Sequence, residues 1–473
     1  MGEELRNVLR DLGERMPPVR LGDDPWTAGR RLRRRARRRA AVASLVVVLA
    51  CALGVPVTLG AVEQRSMTGA VPAAVPHRIG LPYMWQATVE QDPPGRASLL
   101  FSGGDHLGLR GIDPIDHEGK VAVLGMGGKY RMMLYGEAER SAGIDVLLSP
   151  DSRYVADGSA DGWVHVTDLT TGDRRSFAGG ADSTCCTTPV AWAPGGDALL
   201  VLSHADADAD GDGVYPSRLL LLDLATGASR RVGGDLGDRW GLRTGSLAAF
   251  SPDGTRIAVA AGGELTMLDR AGTVAWSREL GPDERLAGVG AFTPDGSAVA
   301  VFRLDGCRSG CDADQRAART WRTGYVDAAT GGDGTGPALP PAEGQALRAL
   351  GWRNGRALVA LRYVPKPGVI MGESNEWDDT GYWETGHVQL VSLRPDGRVQ
   401  VLLDPPDGVR AMDVARHLME AGRFGASPPD PRAFPARPLV LLPAVPVLLM
   451  VGGVAGAVLW WRWRRRRRRA VSR

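Results

Sequence analysis

The chain has 473 residues, 44% of them hydrophobic and 23% charged, with a formal charge of +3. That length exceeds one ordinary core, unless the core is a repeat that grows by adding units. Charge is unevenly spread: residues 1–40 hold 12 Arg and 6 acids, residues 462–473 hold 8 Arg and no acid, and the middle holds 37 Lys+Arg against 48 Asp+Glu. Both basic ends adjoin long apolar runs, so they are read as membrane-flanking signals and nucleic-acid binding is set aside.

Residues 1–39 read as a cytoplasmic leader. Leu5, Val8, Leu9, Leu12 and Met16 fall on one side of a helix that Pro17-Pro18 ends. The stripe suits docking of a cytoplasmic regulatory protein or lying on the inner leaflet. The leader resembles those of membrane-anchored anti-sigma regulators in high-GC Gram-positive bacteria.

Residues 40–62 form a 23-residue run without a charge, preceded by eight Arg from Arg30 to Arg39. As a helix such a run reaches about 35 Å, enough for a bilayer core. A cleaved signal peptide is the rival reading, but the charged leader is too long and the run exceeds a usual h-region. A linker is expected over 63–82.

From residue 83 to 404 a phrase repeats. Its copies are Ser149-Pro150-Asp151-Ser152, Ala193-Pro194-Gly195-Gly196, Ser251-Pro252-Asp253-Gly254 and Thr293-Pro294-Asp295-Gly296, with Arg353-Asn354-Gly355 as a degenerate fifth. A second phrase answers it at Asp168-Leu169-Thr170-Thr171-Gly172, Asp223-Leu224-Ala225-Thr226-Gly227 and Asp327-Ala328-Ala329-Thr330-Gly331. Alternating apolar runs flank each turn, so each unit reads as four antiparallel strands. Repeats of this period predict an all-β fold, a six-bladed β-propeller with seven blades as the alternative. Blades are expected near 83–135, 143–178, 188–233, 246–280, 288–338 and 346–404. Two stacked β-sandwich domains are the competing architecture.

The run Asp161-Gly162-Trp163-Val164-His165-Val166-Thr167-Asp168 resembles the third strand of a WD40 repeat, with Thr167 where that family usually carries Trp. The Ser-Pro-Asp-Gly turns resemble the TolB-like and WD40-like propeller repeats of bacteria. That resemblance covers about 143–338. It implies a propeller that binds other molecules, and it carries over no catalytic residue.

Three connections between second and third strands are enlarged, at 203–217, 304–323 and 364–386, and loops of this kind carry binding sites. The third offers Trp377, Tyr382 and Trp383 among Glu373, Glu376, Asp378, Asp379 and Glu384, which suits a glycan or a cationic partner, or simple packing over the blade edge. The first contains Asp206, Asp208, Asp210 and Asp212, alternate carboxylates like the start of a calcium loop. Position twelve is Ser217 rather than the bidentate Glu, so a solvated acidic loop is the other reading. Cys307 and Cys311 share the second loop and are expected to bridge locally. Cys185 and Cys186 are left with a vicinal or an intermolecular link. The only approach to a nucleophile elbow, Gly372 to Glu376, lacks the final Gly, and no catalytic constellation appears.

After the ring, residues 405–437 are expected as a helix capped by Asp407, running through Val409, Met412, Ala415 and Met419 to Gly422, then a Pro-rich linker. Residues 438–461 form a second charge-free run, of 24, and Arg462 to Arg469 include only one residue that is not Arg. Small residues four apart, Ala50 and Gly54, then Gly452 and Gly456, would let two such helices pack. The expectation is thus a propeller between two transmembrane helices of the plasma membrane, extracytoplasmic, with both termini cytoplasmic. Its expected role is non-enzymatic binding of an envelope protein or glycan. The alternative is a transmembrane regulator whose leader binds a transcription factor.

Overall fold

Each Pro-containing phrase sits at the tip of a hairpin, because Pro favours the second position of a type I turn and the residue closing it takes a left-handed backbone. In the computed structural model the described residues are 73–103, 119–136, 140–179, 186–204, 216–238, 247–308, 310–367, 385–432, 448–450 and 452–462. Two compact units are present, Gly69–Pro438 and a second made of Met1–Thr68 with Leu439–Arg473. The first holds all the β-structure described below.

A short strand β1 (Val75–Pro76) precedes the ring, and blade 1 begins with β2 (Ala97–Ser102), β3 (Lys120–Gly125) and β4 (Tyr130–Leu134). Blade 2 comprises β5 (Val146–Leu148), β6 (Tyr154–Gly158), β7 (Trp163–Asp168) and β8 (Arg174–Ala178). Blade 3 comprises β9 (Thr187–Trp192), β10 (Ala198–His204), β11 (Pro216–Asp223) and β12 (Ser229–Asp238). In blade 4 these are β13 (Ala248–Phe250), β14 (Arg256–Ala261), β15 (Glu264–Asp269) and β16 (Val274–Glu279). Blade 5 has β17 (Glu284–Leu286), β18 (Ala298–Asp305), the helix α1 (Ala313–Ala317), β19 (Thr320–Asp327) and β20 (Ala342–Glu343). Blade 6 has β21 (Ala346–Arg353), β22 (Ala357–Pro365), β23 (Thr385–Leu393) and β24 (Val399–Leu403).

Among the described residues six sheets have four strands, in sequential order except that of blade 1, and a seventh sheet has two. The fold is therefore an all-β, six-bladed propeller, which answers the alternatives of seven blades and stacked sandwiches. First strands are buried along their length in β5 and β13, whereas the fourth strands β8 and β16 are largely exposed, so each blade runs from the centre outward.

Blade 1 corrects an expectation. The segment after the ring begins not as a helix but as strand β25 (Ala411–Val414), followed by the helix α2 (Arg416–Glu420) and strand β26 (Phe424–Ala426). β25 pairs antiparallel with β2, from Leu99↔Val414 to Ser102↔Ala411, and supplies the innermost strand of blade 1. Every residue of β2 is buried, so an inner edge without a partner would leave backbone N–H and C=O groups unsatisfied. That demand overrides the helical spacing of Val409, Met412 and Ala415. Asp407 caps no helix, and the propeller extends past 404 to Val414. Gly422, at φ 66°, does lie just beyond the end of α2.

The expected linker is also structured in part. β1 pairs in parallel with β26 through Val75↔Phe424 and Pro76↔Ala426, so the segments before and after the ring run side by side. Of the expected second span, residues 448–450 and 452–461 are helical, and the first span lies outside the described residues. Among the described residues no helix is long and apolar enough to cross a membrane.

Ring closure by β25 makes a direct test. Met412 is fully buried, so Met412→Asp should cost about 3 kcal/mol or more in chemical unfolding. Val401 on the outer strand β24 is 43% exposed, so Val401→Asp should stay within about 0.5 kcal/mol. Equal losses would show that β25 is not what closes the ring.

Candidate binding site at the turn-lined mouth

Neighbouring strands of a blade are antiparallel, so the turns between first and second strands share one face with those between third and fourth strands. The connections between second and third strands lie on the other face. Each first-second turn is built by its own side chains. In blade 4, Ser251 Oγ donates to Asp253 Oδ1 at 2.5 Å, the Arg256 amide donates to Ser251 Oγ at 2.9 Å, and the Thr255 amide to Asp253 Oδ1 at 3.1 Å. Blade 5 repeats this with Thr293 Oγ1 to Asp295 at 2.7 Å and the Ser297 amide to Asp295 at 3.1 Å. Blade 2 does so with Ser149 Oγ to Asp151 at 2.6 Å and the Arg153 amide to Asp151 at 3.1 Å.

The glycine that ends the turn has two jobs. Gly254 has φ 72° and Gly296 φ 70°, and a Cβ on either would touch the proline of the preceding blade, Pro194 or Pro252, at 3.4 Å. From blade 3 to blade 5 the phrase thus packs turn against turn, proline of one blade onto glycine of the next.

Five blades contribute such a turn, and blade 1 cannot, because its first strand β25 comes from the other end of the ring segment. The helix α2 stands in the vacant sixth place. Its His417 Nδ1 lies 3.3 Å from both Ser152 Oγ and Pro150 O in blade 2, and on the other side the Asn354 amide of blade 6 donates to Glu420 O at 2.9 Å. Its own Leu418 and Met419 are buried.

These elements border an open cavity of about 540 Å³, a volume within the usual range for a ligand site. Its rim is Pro150, Asp151, Pro194, Pro252, Pro294 and Gly355 from five blades, with Arg416, His417 and Glu420 from α2. Val289, Gly290, Phe292, Gly351 and Trp352 complete the lining. A Cβ on Gly290 would lie 2.2 Å from the Gly351 amide nitrogen, so the two backbones meet only because Gly290 lacks a side chain. The Trp352 indole N–H is buried and has no hydrogen-bond partner among the described residues. The rim charges are held internally: Arg416 Nε lies 2.8 Å from Glu420 Oε1, and Asp151 accepts from its own turn. The mouth is therefore mixed in character, prolines and Phe292 alternating with the charged and polar groups of Asp151, Arg416, His417 and Glu420.

At the seam where blades 6, 1 and 2 meet, Arg348 donates to the carbonyl oxygens of Gly143 and Met412. Burial raises the carboxyls of Asp145 and Asp413 above the usual range, while hydrogen bonds and the nearby Arg348 act in the opposite direction. Asp413 accepts the Leu148 amide at 2.8 Å and Asp145 the Ser141 amide at 3.0 Å.

Trp377, Tyr382, Trp383, Glu373 and Asp378 fall outside the described residues, as do Asp206, Asp208, Asp210 and Asp212. Among the described residues no group of three or more His, Cys, Asp or Glu is placed to hold a metal ion. Cys307 and Cys311 form a disulfide, and Arg319 Nε donates to the Cys307 carbonyl at 2.7 Å. Cys186 is disulfide-bonded to a residue outside the described ones. The mouth residues Phe292, Trp352, Arg416, His417 and Glu420 were not singled out. The signal for the mouth was the repeated turn itself, since equivalent turns of successive blades must converge on the axis of the ring.

No protein-family model and no curated protein matches the chain. Among solved structures it is similar to an oligogalacturonate lyase of Vibrio parahaemolyticus, at 14% identity over 69% of this chain and 78% of that one, TM-score 0.40. It is also similar to a TolB of Agrobacterium tumefaciens, at 15% identity over 67% and 91%, TM-score 0.36. The ring itself rests on its own strand order and register.

The turn carboxylates make a pH prediction. Hydrogen bonds from the Ser251 hydroxyl and the Thr255 amide hold Asp253 down at about 2, and those from Thr293 and Ser297 lower Asp295. A carboxyl lowered from about 3.9 in the unfolded chain contributes stability above that pH and loses it as pH falls through the folded value. The melting temperature should therefore drop between about pH 4 and 2, and Asp253→Asn should flatten the drop when followed by circular dichroism. An unchanged slope in that variant would show that the turns are not its source.

Proposed function

We propose that the protein is a non-enzymatic binding propeller, anchored in a membrane and facing outward, which takes a protein partner of the envelope at its turn-lined mouth. The observation that carries this reading is the convergence of five blades and α2 on one cavity. A site assembled from every part of the ring is preorganised, and preorganisation favours binding. No nucleophile with a general base lines the cavity among the described residues, and the reading needs none.

Anchoring is supported by the charge-free runs 40–62 and 438–461 and their Arg flanks. Within the second run, Leu448, Met450, Val454, Val458 and Leu459 are exposed on a helix, as side chains facing lipid would be. A glycan held by the enlarged loops on the opposite face, with calcium at Asp206 to Asp212, is the second reading. It is favoured by the aromatic and acidic content of 364–386. A cytoplasmic role for the leader would make the protein a regulator, with the ring as its sensor.

Crosslinking in the host followed by identification of the captured molecule separates these readings. Pro252→Arg with Pro294→Arg, both on the rim, should cut capture about tenfold, with little change in melting temperature. Trp377→Ala with Trp383→Ala should leave it intact. The reverse pattern would move the site to the other face. A cysteine introduced into 364–386 should be labelled by a membrane-impermeant reagent in intact cells, and protection there would overturn the outward orientation.

A further inference from the structure

We infer that α2 is a latch that couples occupancy of the mouth to the paired strands β1 and β26, through which the chain reaches and leaves the ring. The inference rests on the mouth being the binding site and concerns the regulation of that site.

The other rim elements are hairpin tips tied into a blade on both sides. α2 is tied in on one side only, through β25, and passes directly into β26. Its last turn is bonded onward: the Gly422 amide donates to Met419 O at 3.0 Å and the Arg423 amide to Leu418 O at 2.9 Å. The Val75 amide of β1 then donates to Arg423 O at 2.9 Å, and the His77 amide to Ala426 O at 3.1 Å. An unbroken series of contacts therefore runs from His417 and Glu420, in the cavity wall, to the strand that precedes the ring. Such continuity permits coupling.

A second observation is independent of the first. Among the described residues, Ser152 and Asn354 are the only non-glycine residues with positive φ, at 62° and 50°. Both lie on the turns that flank α2, and both bond to it. Ser152 occupies the place that Gly196, Gly254 and Gly296 fill in the sister turns, so its hydroxyl is available to His417 where glycine would offer nothing. Side chains held in an unfavourable backbone conformation gather at elements that switch. The fit beneath is equally specific: a Cβ on Gly351 would meet Met419 Cε at 2.4 Å, and one on Gly422 would meet Asn354 Oδ1 at 2.6 Å. A partner that displaces His417 or Glu420 moves α2, and α2 cannot move without moving Arg423 against Val75.

Amide hydrogen exchange on the full-length protein tests this without a ligand. Ser152→Gly gives the turn the residue its sisters use and removes the contact to His417, and His417→Ala removes it from the other side. Both should raise exchange at Val75, His77, Gly422 and Arg423 about fivefold, the effect of one lost hydrogen bond, with β14 and β15 of blade 4 unchanged. Because coupling is reciprocal, Phe424→Ala in β26 should raise exchange at the Met419 amide. A rise confined to α2, a uniform rise that includes blade 4, or no rise at all would each overturn the latch. Failure to capture a partner at the mouth would leave these exchange results standing, so the two ideas fail separately.

Discussion

The structure depends on one pairing, that of β25 with β2. Every other blade is made of consecutive strands and could form locally, but blade 1 acquires its inner strand from a segment some three hundred residues away. Until that pairing forms, β2 has an open inner edge and the ring has two ends. Contacts of such separation carry a loop-closure cost before they return any burial, so this step is the one that makes the ring cooperative. Arg348 supports the closure from blade 6, since its guanidinium holds a carbonyl of blade 2 and a carbonyl of β25 together.

The same closure creates the mouth. A ring of six identical blades would present six identical turns, but a chain that closes with its last strand inside its first blade must omit one of them. α2 fills that place, and it brings Arg416, His417 and Glu420 to a rim otherwise made mainly of proline. The two departures from the repeated phrase, Ser152 for Gly and Asn354 in the degenerate copy, adjoin that place. Deviation from the repeat thus marks where a different element must be held, which agrees with the rule that local exceptions gather at functional sites.

The blade hairpins were legible in the residues because their information is local. Ser251 to Gly254 state a turn by their own hydrogen-bonding groups, and the alternation in 256–260 states a strand with one face inward. Residues 409–419 were misread for the opposite reason. Val409, Met412, Ala415 and Met419 satisfy helical spacing, and only the presence of β2 across the gap turns 411–414 into a strand. The mouth went unrecognised because Phe292, Trp352 and His417 are far apart in sequence and carry no shared motif. Attention to the enlarged loops pointed to the opposite face.

By itself the sequence determined the repeat, the hairpin chemistry and the all-β class, since period, turn residues and alternation are properties of neighbours along the chain. It also settled where charge and apolar runs lie. The tertiary structure decided the number of blades, the strand that closes the ring, and the helix that completes its mouth. Each of these depends on which distant segment fills an edge that neighbouring residues leave open, and that choice is made by backbone hydrogen bonding and burial across the whole ring.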